Sequence, residues 1–98
     1  MELGESKFEL GTTLVTGGVS QIMESNPVFA KEVYECLSRY AQGDWGVVDP
    51  EDAKMNDAAL DPEEPDRILA AYNTSAGKIW IITEWDRSAT TVLFPNEY

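Results

Sequence analysis

Histidine is missing from this 98-residue chain, and cysteine occurs once, at Cys36. The first absence removes the side chain best suited to acid–base work near neutral pH. No Ser/His/Asp or Cys/His constellation can be assembled, so no catalytic residue is assigned. Only hard oxygen ligands remain for a metal, and no metal site or cofactor is expected. The stretch "DPEDAKMND" (49–57) is superficially like a calcium loop, but it lacks that loop's glycine and its prolines are misplaced. No glycine-rich phosphate cradle is present, and Gly17–Gly18 reads as a turn. A lone cysteine forms no intrachain disulfide, which fits a reducing compartment.

Cations are also scarce. Seven Lys/Arg stand against 18 Asp/Glu, for a net charge of −11. Such a chain repels phosphate backbones and anionic membranes, so direct nucleic-acid or membrane binding is not expected. Partners should be basic, for example a protein surface that itself handles DNA or RNA. The plain alternative is acidity that serves solubility alone. No apolar run approaches the roughly 20 residues that span a bilayer. The opening "MELGESKFEL" has no basic region leading into an apolar run, so a cytoplasmic protein is expected.

What is there suffices for one small core, and residues 1–98 are read as a single domain. The apolar fraction of 43% and the charged fraction of 26% are ordinary for a globular chain. Partial alternation around Phe8, Leu10, Leu14 and Val15 predicts a strand over about residues 8–15. "VSQIME" predicts a short helix. "SNPVFAKEVYECLSRYAQGDWG" carries the clearest helical signal, with Asn26 as N-cap and Pro27 at the first position. Phe29, Val33, Cys36, Leu37 and Tyr40 form one apolar stripe, which should pack on a sheet. Cys36 therefore reads as a small buried hydrophobe and Trp45 as a core lid. Glu35 and Arg39 are spaced as an i,i+4 pair, and Gly43 is placed to end the helix.

A second helix is expected after Asp49, which caps it ahead of Pro50, with Glu51 and Asp52 at its positive end. Its apolar side is thin: Ala53, Met55, Ala59 and Leu60. "RILAAYN", "KIWIITEW" and "TTVLFP" then predict strands over 67–73, 79–85 and 90–94, joined by "TSAGK" and "DRSA" turns. In the middle strand Ile79, Ile81, Thr83 and Trp85 should face one way, and Trp80, Ile82 and Glu84 the other. The fold class is α+β: an N-terminal strand, two to three helices, then a three-stranded antiparallel meander whose sheet is packed by the main helix.

Two groups of residues carry functional readings. The stretch "DPEDAKMNDAALDPEEPD" (49–66) holds eight carboxylates and one lysine. Asp49, Glu51 and Asp52 serve the helix start. Asp57, Asp61, Glu63, Glu64 and Asp66 show no such local reason, and they are the candidate contact surface for a basic partner. The second group surrounds the "EWDRSATT" turn. Asp44, Glu84, Asp86, Arg87 and Thr90 are a candidate polar pocket, with Arg87 on an anion and Glu84 or Asp86 as acid or base. The structural reading of the same turn has Asp86 bonding backbone N–H groups and Arg87 pairing with Glu84 or Asp86.

"GDWG" (43–46) and "IWIITEWDRSATTVLFPNEY" (79–98), preceded by "RILAAYNTSAGK" and by "LGTTLVTGG" near the start, carry a resemblance. The chain is similar, over nearly its whole length, to a widespread family of small bacterial proteins encoded on plasmids, phages and conjugative elements, among them "plasmid-related protein". The combination of motifs is specific, although each alone is weak. The resemblance implies a mobile-element setting more than a chemistry. Relatives often carry a histidine before "GDWG"; here Tyr40 stands at that place.

Three functions follow as expectations. The first is a non-enzymatic inhibitor of a host defence nuclease, of anti-CRISPR or anti-restriction type. It would hold a CRISPR effector or a restriction enzyme by presenting carboxylates where phosphates would lie, as a monomer or homodimer. The second is a small ribonuclease or toxin using the Glu84–Thr91 cluster, which the shortage of cations and the lack of histidine disfavour. The third is an accessory regulatory protein bound to a partner encoded beside it.

Overall fold

Strand β1 is only four residues long, Thr12–Val15, and it lies at one edge of the sheet. The computed structural model describes residues 6–98. Two helices follow β1, α1 (Gly17–Ser25) and α2 (Pro27–Ala41), then α3 (Pro50–Ala59). Strands β2 (Ile68–Thr74), β3 (Gly77–Thr83) and β4 (Ala89–Leu93) and a short 3-10 turn at Pro95–Glu97 complete the chain. The fold is α+β. The meander β2–β3–β4 is antiparallel, and β1 pairs parallel with β4, giving a four-stranded mixed sheet of order β1-β4-β3-β2. A parallel pair needs a crossover, and α1 and α2 lie within the connection between β1 and β4.

The apolar stripe of α2 packs as its spacing predicts. Phe29, Val33, Cys36, Leu37 and Tyr40 are buried with Ile68, Ala70, Tyr72, Ile79, Ile81 and Val92 of the sheet. Asn26 Oδ1 accepts from the N–H groups of Val28 and Phe29, so the expected N-cap forms. Asp49 Oδ1 accepts from Asp52 N–H and starts α3 in the same way. Gly43, at φ +83°, follows α2 in the left-handed conformation. The hairpin between β2 and β3 is tied to α2, where Glu32 accepts from the N–H and hydroxyl of Ser75.

Several expectations need correction. The first strand covers 12–15 rather than 8–15, because the Leu10 carbonyl is taken by the Thr90 hydroxyl and Gly11 turns at φ +64°. Phe8 instead packs against the rings of Tyr40 and Trp45. Gly17–Gly18 is the first turn of α1, not a separate turn. Glu97, 79 positions away, makes that possible by accepting from Gly18 N–H at 3.1 Å and from the Thr16 hydroxyl at 2.6 Å. Arg39 does not pair with Glu35. It forks onto Asp44 at 2.8 and 3.3 Å, while Glu35 lies 4.0 Å from Lys31. Strand β3 ends at Thr83, so Trp85 leaves the sheet and is 61% exposed. Met55, expected on the apolar side of α3, is 67% exposed. That helix docks through Ala53 and Ala59 together with the polar Asn56 and Asp57.

Candidate functional site

The "GDWG" turn is a structural joint. Asp44 holds the Arg39 guanidinium and also accepts from Gly46 N–H at 3.1 Å. The guanidinium beside it keeps the Asp44 carboxyl below its usual range. The Asp44 carbonyl accepts from the Tyr72 hydroxyl. Trp45 is a buried lid, as expected, and packs edge-on against Tyr40. Gly46 stands at φ +75°, where a Cβ would come 1.9 Å from the Ala71 carbonyl oxygen. Only glycine lets the chain run this close to β2. The main chain of Trp45 and Val47 then bonds Ala71 on both its N–H and its carbonyl.

Tyr40, at the place where relatives carry histidine, is fully buried. Its hydroxyl donates to Thr83 Oγ1 at 2.7 Å, which lies 2.7 Å from Thr90 Oγ1, which donates to the Leu10 carbonyl at 2.6 Å. The three hydroxyls thus form one directed chain joining α2, β3, β4 and the N-terminal segment. Burial pushes the Tyr40 phenol up, so it stays protonated. Burial also pushes the Cys36 thiol up to about 11, away from nucleophilic use.

The five residues of the expected polar pocket lie in different settings. Thr90 is fully buried within the hydroxyl chain, and Asp44 is bound to Arg39. Glu84 lines a hollow beside Thr91, Glu97 and Tyr98, whereas Asp86 and Arg87 line another beside Trp85. Asp86 accepts from Ser88 N–H, as the structural reading has it, and its bonds to Ser88 hold its carboxyl below the usual range. Among the described residues, Arg87 pairs with no carboxylate. Its Nη2 donates to the Ala59 carbonyl and its Nη1 to the Asp66 carbonyl, each at 2.6 Å. Arg87 therefore caps the end of α3 across 28 positions of sequence.

The acidic stretch is partly structural too, which corrects the premise that its later carboxylates have no local role. Asp57 accepts from the indole N–H of buried Trp45 at 2.9 Å. Asp61 accepts from Glu63 N–H, and Asp66 from Arg67 N–H. All five of Asp57, Asp61, Glu63, Glu64 and Asp66 remain exposed. Just before them lies Asn56, a residue no sequence signal singled out. It is buried, gives its amide N–H to the Leu69 carbonyl and accepts from Leu69 N–H. A side-chain amide there imitates a neighbouring strand along the β2 edge. Only its spacing of three before Ala59 on a thin apolar helix could have marked it.

The motif residues so far placed all serve the fold. At the C-terminus, Tyr98 stacks edge-on against Trp80 and accepts from Arg67 at 2.7 Å. No group of His, Cys, Asp and Glu that could hold a metal occurs among the described residues. No helix among them is long and apolar enough to cross a membrane. Comparison with models of known protein families, with curated proteins and with solved structures finds no match.

Proposed function

We propose that this chain is a non-enzymatic inhibitor, carried by a mobile genetic element, that occupies the basic nucleic-acid-handling surface of a host defence nuclease in the cytoplasm. The observation that carries the reading is the uncompensated charge of residues 57–66. The ion pairs among the described residues, Lys31–Glu35 and Arg39–Asp44, both lie on α2 and the turn after it. Neither reaches Asp57, Asp61, Glu63, Glu64 or Asp66. Three of the cations are spent elsewhere: Arg39 on Asp44, Arg67 on Tyr98, Arg87 on main-chain carbonyls. The loop is also held in shape, by Arg87 on Asp66 and by Asp61 on Glu63. Fixed, unpaired carboxylates can stand in for phosphates on a cationic groove, and they speed encounter through long-range steering. The mobile-element setting rests on the motif resemblance, and a CRISPR effector or a restriction enzyme is the target class.

The test is DNA cleavage by a purified CRISPR effector nuclease and a purified restriction endonuclease, with and without the protein. Inhibition of one of them at low salt is expected. The variant Asp57→Asn/Asp61→Asn/Glu63→Gln/Glu64→Gln/Asp66→Asn keeps every acceptor oxygen that the fold uses. It should melt like the unaltered chain and inhibit about 100-fold more weakly. High salt should reproduce much of that loss. Failure to inhibit either enzyme overturns the reading, as does inhibition that survives both the substitutions and the salt.

A further inference from the structure

Strand β1 is bonded along one border. Thr12 gives its N–H to the Ser88 carbonyl at 3.1 Å and, just past the strand, Thr16 gives its own to the Val92 carbonyl at 3.0 Å. In a parallel pair the N–H and carbonyl of one residue point the same way, and successive residues alternate. The main-chain groups of Thr13 and Val15 therefore point away from β4. Among the described residues nothing hydrogen-bonds to them.

An open edge is a template for another strand, and proteins commonly blunt it with lysine, proline or a bulge. Strand β1 has no lysine or proline, and its register with β4 runs without a bulge. It lies within Leu10–Met23, the longest stretch of the chain without a charge. Thr13 and Val15 stand beside Thr90 and Val92 on the helix side of the sheet, yet both are exposed. The helix layer thus stops short of this border. On the other face Leu14, 48% exposed, ends a row that runs Leu69, Ile82, Thr91, Leu14 across the sheet.

Hydrogen bonding and charge together select the occupant. Each copy of the chain carries −11, so self-association is least opposed where no charge stands. Laid antiparallel about a two-fold axis through Leu14, two β1 strands set Thr13 opposite Val15 and Val15 opposite Thr13. Each pair exchanges both N–H and carbonyl, so every outward group finds a partner. Leu14 meets its own copy in the non-bonded pair between them, where side chains come closest. The turn at Gly11 and the start of α1 at Gly17 bound the edge, so a strand of its own length fills it.

We infer that β1 is a self-association edge: two copies join antiparallel through Thr13 and Val15, with Leu14 on the two-fold axis, and one sheet continues into the other. The contact is short, and interfaces below about 1,200 Å² are mostly transient, so the pair forms only at high concentration. The inference is independent of what the acidic loop binds. Its salt response has the opposite sign, because screening eases the repulsion between two like-charged copies.

The test is sedimentation equilibrium of the full chain from about 10 µM to about 1 mM, at low salt and at about 0.5 M sodium chloride, with amide exchange followed by NMR on the same samples. A monomer–dimer equilibrium that tightens with salt is expected. Exchange at the Thr13 and Val15 amides should slow about threefold or more as the dimer fills, and at Thr12, already bonded to β4, much less. Leu14→Lys sets two ammonium groups on the axis and should weaken the dimer about tenfold, although it lowers the net charge. Met55→Lys, the same change at an exposed site on the helix beside β2, should not weaken it. A chain that stays monomeric at the highest concentration and salt overturns the second copy as occupant. A dimer whose Thr13 and Val15 amides exchange as in the monomer, or which Leu14→Lys leaves intact, overturns the edge.

Discussion

Arg87 Nη2 lies 2.6 Å from the carbonyl oxygen of Ala59, the last residue of α3. A cation at a helix C-terminus meets both an orphan carbonyl and the negative end of the dipole. The same guanidinium binds the Asp66 carbonyl, so one side chain holds both ends of the acidic loop. Arg87→Lys keeps the charge and loses the fork. It should cost about 2 kcal/mol in urea denaturation, the usual worth of a charged hydrogen bond. Amide exchange should quicken first at residues 59–66.

The buried hydroxyl chain has a direction, and its members are therefore unequal. Tyr40→Phe removes only the donor at its head, and about 1 kcal/mol should be lost. Thr90→Val, near-isosteric, strands both the Thr83 hydroxyl proton and the Leu10 carbonyl. That should cost about 2 kcal/mol or more. Equal losses in thermal unfolding would count against the directed chain.

Asp57 discriminates shape from charge. Asp57→Asn retains an oxygen for the Trp45 indole and should leave the melting temperature nearly unchanged. Asp57→Ala leaves a buried N–H unpaired and should cost about 1–3 kcal/mol. Trp45 fluorescence provides a second readout of the same contact.

Acid should weaken the cap that Glu97 gives α1. Its bonds, first to Thr16, then to Phe94 and Gly18 N–H, hold its carboxyl below the ordinary value. Near that value the unfolded chain binds more protons than the folded one, so the contribution is present above the unfolded pKa. It disappears as pH falls through the lower, folded pKa. Glu97→Gln should therefore be less stable than the parent at neutral pH, by about 1 kcal/mol from the loss of a cap. The two melting curves should converge in acid.

The local chemistry of this chain was legible, and the long-range chemistry was not. Asn26 and Asp49 cap helices through N–H groups two or three residues ahead, so spacing alone reveals them. The stripe from Phe29 to Tyr40 shows its face for the same reason. Arg39 misled because helical spacing points to Glu35, whereas its real partner, Asp44, lies past the helix end in a turn that folds back. Arg87 on Ala59, Glu97 on Gly18 and β1 beside β4 bridge distant positions through tertiary geometry, which periodicity does not encode. The candidate pocket drew together Glu84, Asp86, Arg87 and Thr90, which are close in sequence, with the distant Asp44. Its members instead work on separate elements of the fold.

The two borders of the sheet are treated differently. Strand β2 is shielded by Asn56 at Leu69 and by the main chain of Trp45 and Val47 at Ala71, whereas β1, uncharged from Thr12 to Val15, pairs on one side with β4. A strand from another molecule would meet engaged main-chain groups at Leu69 and Ala71 on β2, whereas among the described residues β1 has a strand on one side alone. Strand-to-strand association between copies must then use the same border twice, which is a two-fold contact that closes on itself. Even at high concentration, growth by that route ends at a pair, and the endless ladder of a fibre is denied its second rail.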